Sequence, residues 1–384
     1  MIFPFASVLI LIRLGQAAII SLPSSTGPCE VSLHASELVD TSQVDPYDPK
    51  GGNRSIMVTS FTPVNCGSVA FTTTYMPNAT AKYEDETFQS FGLPPGTFQS
   101  LRIQTRTQAR PPSSHDGNHP IVLFSPALGV SRLMYTLLLQ EIASHGFAVV
   151  SVGHPYDADI VEYPDGRTVL GVLGNISTEA EWVSAMDVRV NDMIFLLDQL
   201  HDKHARNDIF PLSRANPALL SLDRATIFGH SLGGATAAQS MLLDTRLAGG
   251  INLDGQLWGP VVDQGLQAPF LLFGHANHTH ATEPSWARFW SNSRGWKVEL
   301  ELAQSLHYTF SDVPVLLDAV SVEDEVKEII QDGYTGTIGG LRGRNVVSAY
   351  IVAALRFFVY GSVEEIWSGG SEAYPEVSFV SCST

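Results

Sequence analysis

Basic residues are scarce in this 384-residue chain: 22 Lys and Arg stand against 39 Asp and Glu, a formal net charge of −17. Gripping a nucleic-acid backbone needs a basic footprint, so that class of function is set aside. Cysteine is nearly absent. Cys29, Cys66 and Cys382 are the only three, and none stands in a C-x-x-C spacing, which removes the usual redox and zinc motifs. An oxidising compartment would allow one disulfide and leave one thiol, without the sequence choosing the pair. No apolar run reaches the ~20 residues of a membrane span; the run from Ile2 to Ile12 is short and Arg13 ends it. Internal repeats and low-complexity tracts are also missing, so neither a solenoid nor a disordered chain is indicated. What remains is 44% hydrophobic and 16% charged, a composition that sustains a large core.

The first 18 residues have the short apolar stretch and small residues (Gly15, Gln16, Ala17) of a secretory signal, although no basic residue precedes the run. Residues 1–18 are therefore expected to direct secretion, with an uncleaved anchor as the alternative, and 19–384 to form a single domain. Sequons at Asn53, Asn78, Asn175 and Asn277 agree with that route as glycosylation sites.

Periodicity divides the chain into alternating elements. Val31–Val39 and Ser55–Thr62 read as an antiparallel sheet edge, 63–100 as a long wrapped loop, and 108–120 and 201–222 as polar connections. From Ile121 a βα alternation begins. Strands are expected at 121–124, 147–152, 225–228, 250–253, 269–273 and 297–302, the last taken as the final strand. Helices are expected at about 131–144, 177–200, 235–243, 284–289, 322–331 and 345–359. Short continuous apolar runs such as Ile121-Val122-Leu123-Phe124 suit strands covered on both faces, which predicts a mostly parallel sheet flanked by helices. In the 177–200 helix, Trp182, Met186, Val190, Met193, Leu197 and Leu200 form one apolar stripe and are assigned to the core. Leu133, Met134, Leu137 and Leu138 are assigned to the core too, with transient contact to a membrane surface as the alternative.

One stretch carries chemistry. Ala225-Thr226-Ile227-Phe228-Gly229-His230-Ser231-Leu232-Gly233-Gly234 is a strand running into G-x-S-x-G and then a helix, the layout of a nucleophile elbow centred on Ser231. A serine hydroxyl needs a base, and the base an orienting acid. In an open α/β sheet both come from loops at the carboxyl ends of strands. Asp254 ends the 250–253 strand and is the expected acid, with Glu283 as competitor. His307 follows the 297–302 strand and is the expected base, with His275 as rival. The order Ser231, Asp254, His307 is that of the α/β-hydrolase fold. Oxyanion N–H groups are assigned to Leu232 and to Leu128 of the loop after the 121–124 strand; Pro126 has none. No cofactor is needed. His275, His278 and His280 fit no usual metal motif, and His278 lies inside a sequon, implying exposure. His201 and His204 are read as solvated, His230 as structural.

Five segments together resemble the platelet-activating-factor acetylhydrolase family, particularly its fungal secreted-type members, over about residues 30–380: Phe124–Gly129, Ala143–Phe147, Gly153–Asp159, Gly229–Gly234 and Asn252–Gly255. The resemblance implies an α/β-hydrolase fold and a calcium-independent serine esterase acting on a small-molecule or lipid ester. It carries the triad to Ser231, Asp254 and His307, and the oxyanion donors to Leu128 and Leu232. Gln256-Leu257-Trp258-Gly259-Pro260 departs from the tryptophan-led loop of the animal enzymes and lines the expected acyl pocket. Fungal relatives also serve as tailoring hydrolases of secondary metabolism, which makes an ester or lactone hydrolase of a polyketide pathway the first alternative. A catalytically silent binding module is the second.

Overall fold

The computed structural model of the chain describes residues 19–64, 69–107, 117–174 and 176–383. The expected signal segment, Cys66 and Asn175 lie outside them. Nine strands form one sheet: β1 (Glu30–Val44), β2 (Asn53–Val64), β3 (His119–Ser125), β4 (Ala148–Gly153), β5 (Leu220–His230), β6 (Leu247–Leu253), β7 (Phe270–His275), β8 (Lys297–Leu302) and β9 (Val377–Ser383). Their spatial order is β9-β8-β7-β6-β5-β3-β4-β2-β1. The six from β4 to β8 run parallel, and β1, β2 and β9 add antiparallel edges.

Eight helices matter here: α1 (Asn78–Gln89), α2 (Thr136–Ser144), α3 (Glu179–His201), α4 (Leu232–Leu243), α5 (Pro284–Asn292), α6 (Val313–Ala319), α7 (Asp324–Ile330) and α8 (Gly340–Tyr360). The apolar runs of the parallel strands alternate sides, as the period of two demands. Val122 and Phe124 of β3, Phe228 of β5, and Leu271 and Phe273 of β7 face a core shared with α2, α6 and α8. Ile121 and Leu123, Ile227, and Phe270 and Leu272 face a second core built with α3, α4 and α5. The α3 stripe is buried as expected, with Trp182 at its half-exposed end, and a Thr178–Glu181 capping box starts the helix. Leu133, Met134, Leu137 and Leu138 are buried as well, so they offer no lipid-facing surface. Among the described residues no helix is long and apolar enough to cross a membrane.

Three expectations are corrected. Residues 63–100 are not a loop: strand Val69–Thr74, helix α1 and a turn at Thr97–Ser100 occupy them, and Val69–Thr74 pairs with Leu101–Thr107. The 201–222 connection contains a helix, Lys203–Ile209, before β5 begins at Leu220. Strand β8 is not the last, because β9 pairs antiparallel along it. Each missed element is short, polar or half-exposed, so none shows a clean apolar period.

Candidate active site

Strand β5 ends at His230 and α4 starts at Leu232, leaving Ser231 alone to turn the chain. Its φ of 56° and ψ of −125° lie where an L-residue is strained, at a cost of order 1–3 kcal/mol. The turn is tight because glycine lines it. A Cβ on Gly229 would lie 2.2 Å from the Gly233 carbonyl carbon, one on Gly233 2.0 Å from Ser125 O, and one on Gly255 2.0 Å from Ser231 O. The Ser231 N–H donates to Leu253 O (2.8 Å), and the N–H groups of Gly234 and Ala235 donate to Ser231 O. Leu232, as the first helical residue, presents an N–H with no acceptor four residues back.

Asp254 follows β6 and also has a positive φ, 58°. Asn252 braces the turn: its Oδ1 accepts from Gly255 N–H (2.9 Å) and its Nδ2 donates to Gly255 O (2.6 Å). The Asp254 carboxylate is fully buried and accepts from three imidazoles. His307 Nδ1–H reaches Oδ2 at 2.5 Å, His275 Nδ1–H reaches both oxygens at 2.7 Å, and His278 Nδ1–H reaches Oδ1 at 2.6 Å; the His275 backbone N–H adds 2.9 Å to Oδ1. Burial alone would raise this carboxyl, but the hydrogen bonds from His275, His278 and His307 hold it well below the usual carboxylate range. The competitor Glu283 instead caps α5 through Ser285 N–H (3.0 Å).

His307 opens a single 3-10 turn after β8, held by Leu306 N–H to Thr309 Oγ1 (2.9 Å). Since Nδ1 donates to Asp254, Nε2 carries the lone pair. His230 packs behind it, ring centroids 4.5 Å apart. Burial first, then the neighbouring His307, keep His230 neutral, and its Nδ1 sits 2.8 Å from the Tyr135 hydroxyl, consistent with a structural residue. His275 turns its Nδ1 to the acid, like His307. His278 is the larger surprise, half-buried against Asp254 and stacked on Trp286 at 4.5 Å; its sequon had implied exposure. His280 pairs with Glu299 (2.5 Å). The donor atoms of Asp254, His275 and His278 lie within 4.8 Å of one another, as do those of His230, Asp254 and His307. Either trio is close enough to ligate an ion, but the Nδ1 atoms of His275, His278 and His307 are already committed to the carboxylate. His201 and His204 are exposed.

The loop after β3 is pinned from beneath by charges that sequence reasoning did not single out. Arg189 of α3 donates Nη1–H to Pro126 O (2.6 Å) and Nη2–H to Ala127 O (3.2 Å), and pairs with Asp157 through Nε (2.6 Å) and Nη2. Beside it runs a second serine–histidine–aspartate chain. Ser125 Oγ–H meets His154 Nε2 (3.0 Å), and His154 Nδ1–H meets Asp192 (2.7 Å), which is gripped by Arg54 at 2.8 and 3.0 Å. Ser125 and His154 have no exposed surface, so this chain holds the loop and meets no substrate. Burial pushes Asp192 up, but Arg54 and His154 prevail and bring it down to about 2. Ala127 N–H is taken by Tyr135 (3.2 Å) and Val130 N–H by Ala127 O; Leu128 lies half-exposed between them. The sequence signals for this scaffold were the Phe124–Gly129 and Gly153–Asp159 segments; Arg54, Arg189 and Asp192 were not singled out.

Ser231, Leu232, Asp254 and His307 line one cleft of about 480 Å³, together with Trp182, Gln256, Trp258, His275, Asn277 and His278. Trp258 stacks on Trp182 at 5.5 Å with rings 5° from parallel, which brings the 256–260 loop to the cleft as expected. Asn53, Asn78 and Asn277 are exposed. Cys29 and Cys382 are not paired with each other.

A strained serine between a parallel strand and a helix, with an aspartate–histidine pair from the ends of later strands, defines an α/β-hydrolase of the serine-esterase class. The comparisons carry this further. The sequence profile of platelet-activating factor acetylhydrolase, isoform II, matches residues 97–198 and 217–324. A probable 1-alkyl-2-acetylglycerophosphocholine esterase of Arthroderma benhamiae is 32% identical over 382 residues, covering 94% of this chain and 93% of its own. The platelet-activating factor acetylhydrolase of Cavia porcellus is 27% identical over 50% of this chain and 48% of its own. Among solved structures, ferulic acid esterase from Streptomyces cinnamoneus superposes with a TM-score of 0.77 at 28% identity, covering 95% of this chain and all of that one. The chain belongs to the platelet-activating factor acetylhydrolase family and is a serine esterase.

Proposed function

We propose that the chain hydrolyses short-acyl esters, with an acetylated glycerophospholipid as the reference substrate, through an acyl-enzyme on Ser231. His307 Nε2 takes the serine proton as the hydroxyl attacks the ester carbonyl, and returns it to the departing alcohol. Water, deprotonated by the same nitrogen, then releases the acid and frees the serine. Asp254 holds His307 in the required tautomer and balances the imidazolium charge. The Leu128 and Leu232 N–H groups receive the developing oxyanion, each typically worth ~10²–10³ in turnover. The observation that carries the reading is the 2.5 Å contact between His307 and Asp254 in the cleft that Ser231 lines.

In this reading the N-terminal segment routes the chain to secretion, and glycans on the exposed Asn53, Asn78 and Asn277 follow from that route. Ser231→Ala is expected to cut p-nitrophenyl acetate hydrolysis by roughly 10⁴–10⁶-fold with an unchanged circular dichroism spectrum. Retained turnover in the folded variant would remove Ser231 as nucleophile.

A further inference from the structure

A groove of about 510 Å³ opens where β1 and β2 meet the small sheet of Val69–Thr74 and Leu101–Thr107. Its size is within the ~300–1,000 Å³ of small-molecule sites, and it shares no lining residue with the catalytic cleft. Much of its wall is apolar: Leu33 of β1, Met57 of β2, Phe71, Met76 and Leu133. Arg132 lines it too. This residue opens the 3-10 turn that follows the oxyanion loop.

A guanidinium is out of place in such a wall. Arg132 is 4% exposed. Its Nε–H donates to Thr59 Oγ1 (3.0 Å), and Thr59 lines the same groove. The glycine at 153 makes room for the head group, since a Cβ there would lie 2.9 Å from Nη1. Nη1 and Nη2 donate to no acceptor among the described residues, yet both keep contact with solvent. Glu162 acts on Arg132 without forming an ion pair; that half-buried carboxylate accepts instead from Thr80 N–H (2.7 Å) and Oγ1–H (3.1 Å). Burial pulls Arg132 down to about 10, so it is still charged at neutral pH. A buried charge without a paired partner is costly. Water would satisfy the two donors but leave the apolar walls uncovered. An anion offsets the cost, and a carboxylate matches the paired N–H directions of Nη1 and Nη2. Glu162 limits that anion to one charge, because a second would sit against it.

We propose that this groove binds a monocarboxylic acid with an alkyl chain, the carboxylate on the Nη1–Nη2 end of Arg132 and the chain along Leu33, Met57, Met76 and Leu133, with Phe71 at the exposed rim. The site goes beyond the esterase reading and does not depend on it. It lies apart from the cleft in space, but Arg132 follows Val130 of the oxyanion loop by only two residues.

Titration calorimetry on the full chain at pH 8 tests this with decanoate, and with 1-decanol as the uncharged match, both below micelle-forming or saturating concentration. One decanoate is expected to bind per chain, with 1-decanol weaker by about tenfold or more. Arg132→Met should weaken decanoate by roughly tenfold to a hundredfold and leave 1-decanol unchanged. Phe71→Asp, at an exposed position, should weaken decanoate by repulsion at the rim, and it serves if Arg132→Met does not fold. Trp258→Ala, in the catalytic cleft, should leave the decanoate affinity as it was. No binding, equal affinity for acid and alcohol, or unchanged affinity in whichever of the two groove variants fold would each overturn the site. Loss of binding in Trp258→Ala would overturn it as well, by placing the acid in the cleft.

Discussion

His278 sets the residue-scale question, because an orienting aspartate normally serves one imidazole and this one serves three. Burial would lower the pKa of His278, but Asp254, with Glu283 and Glu299 behind it, raises it. His278 Nδ1–H donates to the same carboxylate that orients His307. Its removal takes one donor from Asp254 and loosens the acid that holds the base. His278→Asn is therefore expected to lower kcat for p-nitrophenyl acetate by roughly tenfold with little change in KM. An unchanged kcat would show that His278 only packs against Trp286. The replacement also preserves the Asn277-x-Thr279 sequon.

Among the elements, α3 is the one the site leans on hardest. Its apolar stripe was legible from six residues at helical spacing, but Arg189 and Asp192 on the same helix are as buried as the stripe and do what the stripe cannot: they fix the oxyanion loop. Arg189→Met would strip two donors from the Pro126 and Ala127 carbonyls and leave Asp157 buried without its partner. Losing one member of such a pair typically costs about 3–5 kcal/mol. The loosened loop should lower kcat on p-nitrophenyl acetate by ~10² with little change in KM. Urea denaturation and steady-state kinetics on one preparation measure both; full kcat in a destabilised variant would mean the loop keeps its shape unaided. The elbow and the order Ser231, Asp254, His307 were readable because glycine spacing and apolar strand runs are local signals. Helix α1 was not, since its buried positions include Glu84 and Asp85 rather than an apolar stripe. Strand β9 escaped because it is a half-exposed edge, and the tie from Arg54 to Asp192 spans 138 residues of sequence.

For the molecule as a whole, buried carboxyls pull stability in opposite directions with pH. Asp192, lowered to about 2 by Arg54 and His154 against its own burial, has a folded-state pKa below the unfolded value of about 3.9. Its contribution is full above pH ~4 and is lost as pH falls through about 2. Asp312 behaves the other way. It accepts from Leu137 N–H (2.7 Å), Leu138 N–H (3.1 Å) and the Tyr75 hydroxyl (2.8 Å) at the start of α2, yet complete burial outweighs those donors and raises it to about 7. The folded chain then holds a proton that the unfolded chain has released. This group's contribution is full below pH ~4 and drains away as pH rises to about 7, by about 4 kcal/mol in all. His154 and His230, kept neutral mainly by burial, add a loss on acidification through ~6.5, so the total curve mixes limbs of both signs. A difference curve isolates one of them. Asp312→Asn keeps an acceptor for α2 and cannot ionise. Relative to the wild type it should be destabilised or level at pH 4 and gain steadily to pH 8, by thermal melts at matched ionic strength. A difference that stays flat across that range would mean Asp312 is ionised in the folded protein throughout, with the α2 N–H groups and Tyr75 enough to hold its charge.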